Sequence, residues 1–299
     1  MSGWREALAE RRPLVLDGGL GTMLIARGLG RGEPPERWIR ERPEELLAVH
    51  RAYVEAGSDA VHTNTFGANP LRLRAFGLDA QGDELNQRAV GLAREASPTF
   101  VIGDVGPTGE YLPPVGKGDP EAWYAAFHAQ GLALGRAGVD GLHVETMSDL
   151  REATVALRAL RAAAPEVPIA VSLTFERKRR GFFTVMGNAL DDALGELARA
   201  GADAVGANCS ITSGDMRELA AAALAGLAGA GLAVPLIVQP NAGQPRMADD
   251  RLVYDQSPAE FATDVGAIAE LGVGAVGGCC GTDPRFIAAL CQRLGRGLA

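Results

Sequence analysis

Along most of the chain, short apolar runs alternate with longer stretches in which apolar residues recur every three or four positions. The short runs fall at 14–19, 60–66, 100–106, 141–146, 168–175, 204–210, 235–243 and 275–280, and most end in Gly, Asn, Thr or Ser. Runs of this length bounded by turn formers predict buried strands, and the periodic stretches that follow predict amphipathic helices. One phrase recurs at the helix-to-strand joints: Ala56-Gly57-Ser58-Asp59-Ala60-Val61, Ala137-Gly138-Val139-Asp140-Gly141-Leu142, Ala200-Gly201-Ala202-Asp203-Ala204-Val205 and Leu271-Gly272-Val273-Gly274-Ala275-Val276. Each glycine closes a helix, and the next strand begins within about three residues, as short αβ loops require. Eight units in strict alternation predict an α/β fold, a (β/α)8 TIM barrel forming a single domain over residues 1–299. A doubly wound open sheet is the structural alternative, because alternation alone does not show closure.

A barrel concentrates its chemistry at the C-terminal ends of the strands. Asp17, Asn64 with Thr65, Asp104, Glu145, Thr174, Cys209, Asn241, and Cys279 with Cys280 all fall there. The adjacent cysteines in Gly277-Gly278-Cys279-Cys280-Gly281 are the most telling. In an extended strand their side chains would point to opposite faces, so both sulfurs reach one ion only where the backbone bends, and the flanking glycines permit that bend. Cys209, in Ala207-Asn208-Cys209-Ser210, ends the sixth strand. Strands six and eight flank strand seven, so the three sulfurs face a common point with Asn241 between them. Three thiolates predict a soft-ligand metal site, with zinc the expected ion.

The other cysteine and the histidines read differently. Cys291 lies in the periodic pattern of the last helix, which predicts a buried small hydrophobe. His62 and His143 fall within strands, where a satisfied core or rim histidine outweighs a catalytic one. His50 and His128 fall in helices and carry no signal.

Composition narrows the class. With 47% apolar residues in 299, the chain can bury a large core. Its formal charge of −8 leaves no broad basic surface for a nucleic acid. Arg177-Lys178-Arg179-Arg180, the only dense basic run, reads as a solvated loop, with partner docking as the alternative. Neither a signal-like N-terminus nor an apolar stretch long enough to span a membrane is present, and four cysteines suit a reducing compartment, so the expected location is cytoplasmic.

Taken together, these segments resemble the homocysteine S-methyltransferase family, and within it the homocysteine-binding module of cobalamin-dependent methionine synthase. The resemblance runs from Leu16-Asp17-Gly18-Gly19-Leu20-Gly21-Thr22 through Thr63-Asn64-Thr65-Phe66-Gly67-Ala68-Asn69, Gly103-Asp104-Val105-Gly106-Pro107-Thr108-Gly109 and Val144-Glu145-Thr146. It continues through Asn208-Cys209-Ser210 and Pro240-Asn241-Ala242-Gly243 to Gly277-Gly278-Cys279-Cys280-Gly281-Thr282. The Asn-Cys and Gly-Gly-Cys-Cys-Gly elements are specific; Asp-Gly-Gly alone would be weak.

The resemblance implies a methyltransferase in which zinc on Cys209, Cys279 and Cys280 activates the thiolate of homocysteine, which becomes methionine. It implies that Asn241 occupies the fourth metal position until substrate displaces it; from the residues alone, a turn-forming Asn is an equal reading. Asp17 and Glu145 would hold the substrate ammonium, Gly18 and Gly19 would offer N–H groups to its carboxylate, and Asn64 and Thr65 would line the mouth. The structural alternatives are an Asx-turn for Asp17 and a helix-start acid for Glu145. No Asp-x-His-x-x-Gly corrinoid pattern occurs, so methylcobalamin is expected in trans on a separate corrinoid protein. Two alternatives stand: a self-contained enzyme using betaine or S-methylmethionine, whose cation would need aromatic faces such as Phe66, Tyr111, Phe175, Phe182 and Phe183, and a non-catalytic zinc- or amino-acid-binding subunit. The residues say nothing of oligomeric state.

Overall fold

The computed structural model describes residues 3–10, 12–248 and 251–297. Eight parallel strands form its centre: β1 (Leu14–Val15), β2 (Ala60–His62), β3 (Phe100–Val105), β4 (Gly141–Met147), β5 (Ile169–Leu173), β6 (Ala204–Thr212), β7 (Leu236–Asn241) and β8 (Ala275–Val276). Neighbours in the chain pair from β2 to β8, β8 pairs β1, and a parallel bridge from Leu16 to Ala60 joins β1 to β2. That bridge closes the ring, so the barrel is the fold and the open sheet is excluded. Long helices, among them Pro43–Glu55, Gly82–Glu95, Pro120–Ala137 and Ser213–Gly229, alternate with the strands as the periodicity predicts.

Strand alternation sorts the core into two compartments. Val15, Val61, Val101, Val144, Val171, Val205, Val238 and Val276 point outward into the layer between sheet and helices. Leu14, Leu16, Ala60, Phe100, Ile102, Ala170, Ala204, Ile237 and Ala275 point into the barrel. A closed ring of eight strands leaves just enough room for side chains of this size. The N-terminal helix Trp4–Leu8 seals the bottom: a Cβ on Gly141 would lie 2.1 Å from the Trp4 ring, so only glycine fits there.

The strands stop short of several predicted ends, and the shortfall lies on the rim. Residues 277–280 leave the ladder and wedge between β1 and β7, with Gly278 N–H on Asp17 O, Cys279 N–H on Pro240 O and Ala242 N–H on Cys280 O. The basic run at 177–180 is not a plain loop. It lies in and between the arms of an antiparallel hairpin, Glu176–Lys178 with Gly181–Phe183, and Arg177 is paired with Asp215 and Glu218 at 2.6 and 2.5 Å. Among the described residues, no helix is long and apolar enough to cross a membrane.

Candidate active site

The alternation that fills the barrel with Ile102 and Ala170 continues upward, so Asp104, His143, Glu145 and Ser172 share the inward face. By the same parity Asn208 and Cys279 point inward, while Cys209 and Cys280 would point away. Backbone distortion overrides parity at Cys209. It and Ser210 adopt left-handed φ values of 59° and 64°, within a register shift between Asn208 and Thr212. Such angles are unfavourable for residues with a Cβ and persist only where surroundings enforce them.

Asn208 supplies part of that enforcement. Its Oδ1 accepts the Thr146 N–H at 2.8 Å and its Nδ2 donates to Thr146 Oγ1 at 2.7 Å. Thr146 is itself left-handed, at φ 59°, in the matching register shift of β4. One amide thus clamps two strand-end bulges, which carry Glu145 and Cys209. The sequence reading passed over Asn208 as part of a motif; its inward parity beside a cysteine was the available signal.

The distortion brings the sulfurs together. Cys209 Sγ and Cys280 Sγ are 3.8 Å apart, and all three Sγ atoms lie within 4.8 Å of one another. Thiolates at about 2.3 Å from a tetrahedral zinc stand about 3.8 Å apart, so the spacing fits that ion. Hydrogen bonds from Cys279 and Cys280 favour a thiolate on Cys209, and they push the Cys279 thiol up in turn. Asn241, 2% exposed, also hydrogen-bonds Cys209, while its Oδ1 has no hydrogen-bond partner among the described residues. A buried acceptor left open beside three sulfurs is suited to a fourth, exchangeable ligand position. Cys291 stands apart, buried in the last helix with its Sγ 3.4 Å from Gly57 O.

Below the sulfurs runs a buried polar chain. Asp17 accepts the His62 backbone N–H at 2.8 Å and contacts His62 Nδ1 at 2.6 Å; His62 Nε2 meets His143 Nδ1 at 2.9 Å, and His143 Nε2 meets Ser172 Oγ at 2.7 Å. Both histidines are therefore satisfied, as their strand positions suggested. Burial alone would lower His62, but the Asp17 carboxylate outweighs it and holds the ring at about 9, so it is charged at neutral pH. His143, buried beside that cation, is pushed well down and stays neutral. Burial raises Glu145 to about 7, with Asp17 and Cys209 adding to the shift and His62 opposing it.

The remaining predicted residues divide. Gly19 N–H is donated to Thr282 Oγ1 at 3.0 Å and is thus occupied, whereas Gly18 N–H meets no acceptor among the described residues. Asn64 and Thr65 are buried, with Asn64 Nδ2 on Pro35 O at 2.8 Å and Thr65 Oγ1 on Asp104 O at 2.7 Å. Their side chains brace the rim. Of the aromatics considered for a cationic donor, Phe175 and Phe182 are packed in the core; Tyr111 is exposed.

The profile of the homocysteine S-methyltransferase family matches residues 14–294. The chain belongs to that family. It is 33% identical over 297 residues to the methionine synthase of Mycobacterium tuberculosis (strain ATCC 25618 / H37Rv), covering 93% of this chain and 24% of that protein. The methionine synthase of Mycobacterium leprae (strain TN) is also 33% identical, over 304 residues, with 94% and 24% covered. The chain thus spans about a quarter of the length of these relatives. Among solved structures, the metallated form of the homocysteine methyltransferase MmuM from Escherichia coli aligns with a TM-score of 0.76 at 30% identity, covering 97% of this chain and 99% of that one.

Proposed function

We propose that this family member is a zinc-dependent homocysteine S-methyltransferase that forms methionine. The observation that carries the reading is the convergence of Cys209, Cys279 and Cys280 beside the open Oδ1 of Asn241. These three sulfurs would hold the zinc, with Asn241 yielding the fourth position to the substrate thiol. Bound zinc supplies a cationic centre that keeps the homocysteine sulfur deprotonated at neutral pH. A structural site is normally closed by four firmly held protein ligands, and three thiolates with one weak amide argue against that role.

The chain's own residues would position the rest of the substrate. Glu145 stands between the polar chain and the sulfurs, close to His62 and His143 and bridged by Asn208 Nδ2 to Cys279, and its carboxylate would take the ammonium. Asp17, committed to His62 at both oxygens, would add its negative charge from behind. Gly18 N–H would take the substrate carboxylate. Asn208 holds Glu145 and Cys209 in register, so that ammonium and thiol bind at a set separation.

For the donor, we favour methylcobalamin carried by a separate corrinoid protein, supported by the likeness to methionine synthases. A self-contained reaction with betaine or S-methylmethionine is the second reading, favoured by the likeness to the homocysteine methyltransferase MmuM over 99% of that chain. A reducing cytoplasm would keep the three thiols available. The deciding experiment has two arms. Metal analysis should find about one zinc per chain, whose ligand sphere changes on addition of homocysteine. Zinc-loaded protein should then make methionine from homocysteine faster with methylcobalamin than with betaine or S-methylmethionine. Rapid turnover with betaine or S-methylmethionine and none with methylcobalamin would replace the first reading by the second.

A further inference from the structure

Asp104 ends β3 on the inward face, only 6% exposed, and its backbone is held on both sides. Its N–H donates to Thr63 Oγ1 at 3.1 Å, and its carbonyl accepts from Thr65 Oγ1 at 2.7 Å and Gln130 Nε2 at 3.3 Å. The side chain is left over. Its Oδ1 is buried without a hydrogen-bond partner among the described residues. An unpaired buried acceptor costs about 1–3 kcal/mol, and more when charged, so its retention calls for a partner that arrives from outside.

The groups around it identify that partner. Asp104 is the register partner of His143, one strand from Glu145 and one strand from His62. The charged groups acting on it are Glu145, His62, Asp17 and Glu36, three of them acids, and His143 beside it is neutral. His62, the cation among these groups, has both ring N–H donors engaged, Nδ1 with Asp17 and Nε2 with His143. Asp104 and Glu145 thus stand on adjacent strands of the inward face, sharing the charge of a His62 whose N–H donors are engaged elsewhere, and burial followed by the nearby Glu145 drives the Asp104 carboxyl well up. A compact donor with one positive charge and several N–H groups answers both deficits. A primary ammonium has three.

We propose that Asp104 is a second acceptor for the substrate's ammonium and makes the site selective for an α-amino thiol over a thiol without the amino group. This rests on the reading of the site as a homocysteine pocket and adds a residue to it. Glu145 and Asp104 grip the ammonium from adjacent strands, and the Asp17–His62 pair provides their fixed floor.

The test compares homocysteine with 4-mercaptobutanoate, which keeps the thiol and carboxylate and lacks the amino group. Dissociation constants for both are measured by calorimetry on zinc-loaded wild type, Asp104→Asn, Asp104→Ser and Glu145→Gln, with zinc content determined for each. Wild type should prefer homocysteine, and both Asp104 variants should lose about ten- to hundredfold of that preference, as expected for one charge-assisted hydrogen bond. Their zinc content and affinity for 4-mercaptobutanoate should hold, which also reports that they fold. An unchanged preference in the Asp104 variants with a collapsed one in Glu145→Gln would overturn the role of Asp104 and leave the pocket intact. Equal weakening of both ligands would overturn it too, assigning Asp104 to the carboxylate end. A second zinc retained by wild type and lost in Asp104→Asn would overturn it in favour of a cation held with His62, His143 and Glu145, whose ligand atoms lie within 4.8 Å of one another. Wild type that binds neither thiol would remove the homocysteine reading itself.

Discussion

Two left-handed residues, Cys209 and Ser210, help turn a set of scattered cysteines into a cluster able to hold a metal. Were Cys209 in regular strand geometry, its sulfur would point into the helix layer, away from Cys279; at φ 59° it turns back to within 3.8 Å of Cys280. Cys209→Ser, Cys279→Ser and Cys280→Ser should therefore each lose most of the zinc and all transfer activity, because two thiolates do not hold the ion against competition. Cys291→Ser should keep about one zinc per chain, since its sulfur packs under Gly57. Full zinc occupancy in all three rim variants, read by elemental analysis after dialysis against a chelator, would sink the assignment. Asp17→Asn tests a different bond. It should retain zinc while weakening homocysteine, because the amide no longer anchors a charged His62; unchanged affinity would show that Asp17 serves the fold alone.

At the scale of elements, the register shifts at the ends of β4 and β6 act as one unit through Asn208. Asn208→Ala leaves the Thr146 N–H without its acceptor and frees both bulges. The unpaired group should cost about 1–3 kcal/mol of stability, visible as a lower urea midpoint. Zinc affinity should fall about ten- to hundredfold, as for other residues that hold a ligand in place. A variant that lost stability and kept its zinc affinity, measured by competition with a chromophoric chelator, would show that Cys209 is set by Asn241 and the loop alone. The tight turn at 277–281 has its own requirement. A Cβ on Gly278 would lie 2.3 Å from Thr282 Oγ1, so this loop must be glycine where it approaches β1.

Over the whole molecule, the buried charges make stability depend on pH in one direction. His62, raised from 6.5 to about 9, contributes stability that is complete below pH 6.5 and is lost as pH rises through 9. The shift corresponds to about 3 kcal/mol. Glu145, raised from 4.5 to about 7, acts with the same sign over a lower window, because the folded state holds its proton more tightly than the unfolded chain. Urea unfolding of zinc-loaded wild type and His62→Gln at pH 6.5 and 9.5 separates the first effect. The stability gap between the two proteins should narrow at the higher pH; an equal gap would mean that His62 is neutral throughout.

The sequence by itself determined eight alternating βα units and the strand ends that carry their polar residues, while closure into a ring was decided by the tertiary bridge from Leu16 to Ala60. Eight apolar runs, four near-identical helix-to-strand joints and polar residues at every strand end depend only on local periodicity and turn chemistry, which are written residue by residue. The candidate ligands were legible for the same reason: Cys209, Cys279 and Cys280 end strands whose spacing around a closed ring is set by the fold. What side chains do across strands was not legible. Gly19 had its N–H taken by Thr282, 263 positions away, and Asn64 and Thr65 were spent on Pro35 and Asp104. The pairing of His62 with Asp17, the clamp made by Asn208 and the unpartnered oxygen of Asp104 arise only once β1 to β6 stand side by side. Periodicity tells which face a residue is on, and tertiary structure alone decides which neighbours on that face satisfy it or leave it open.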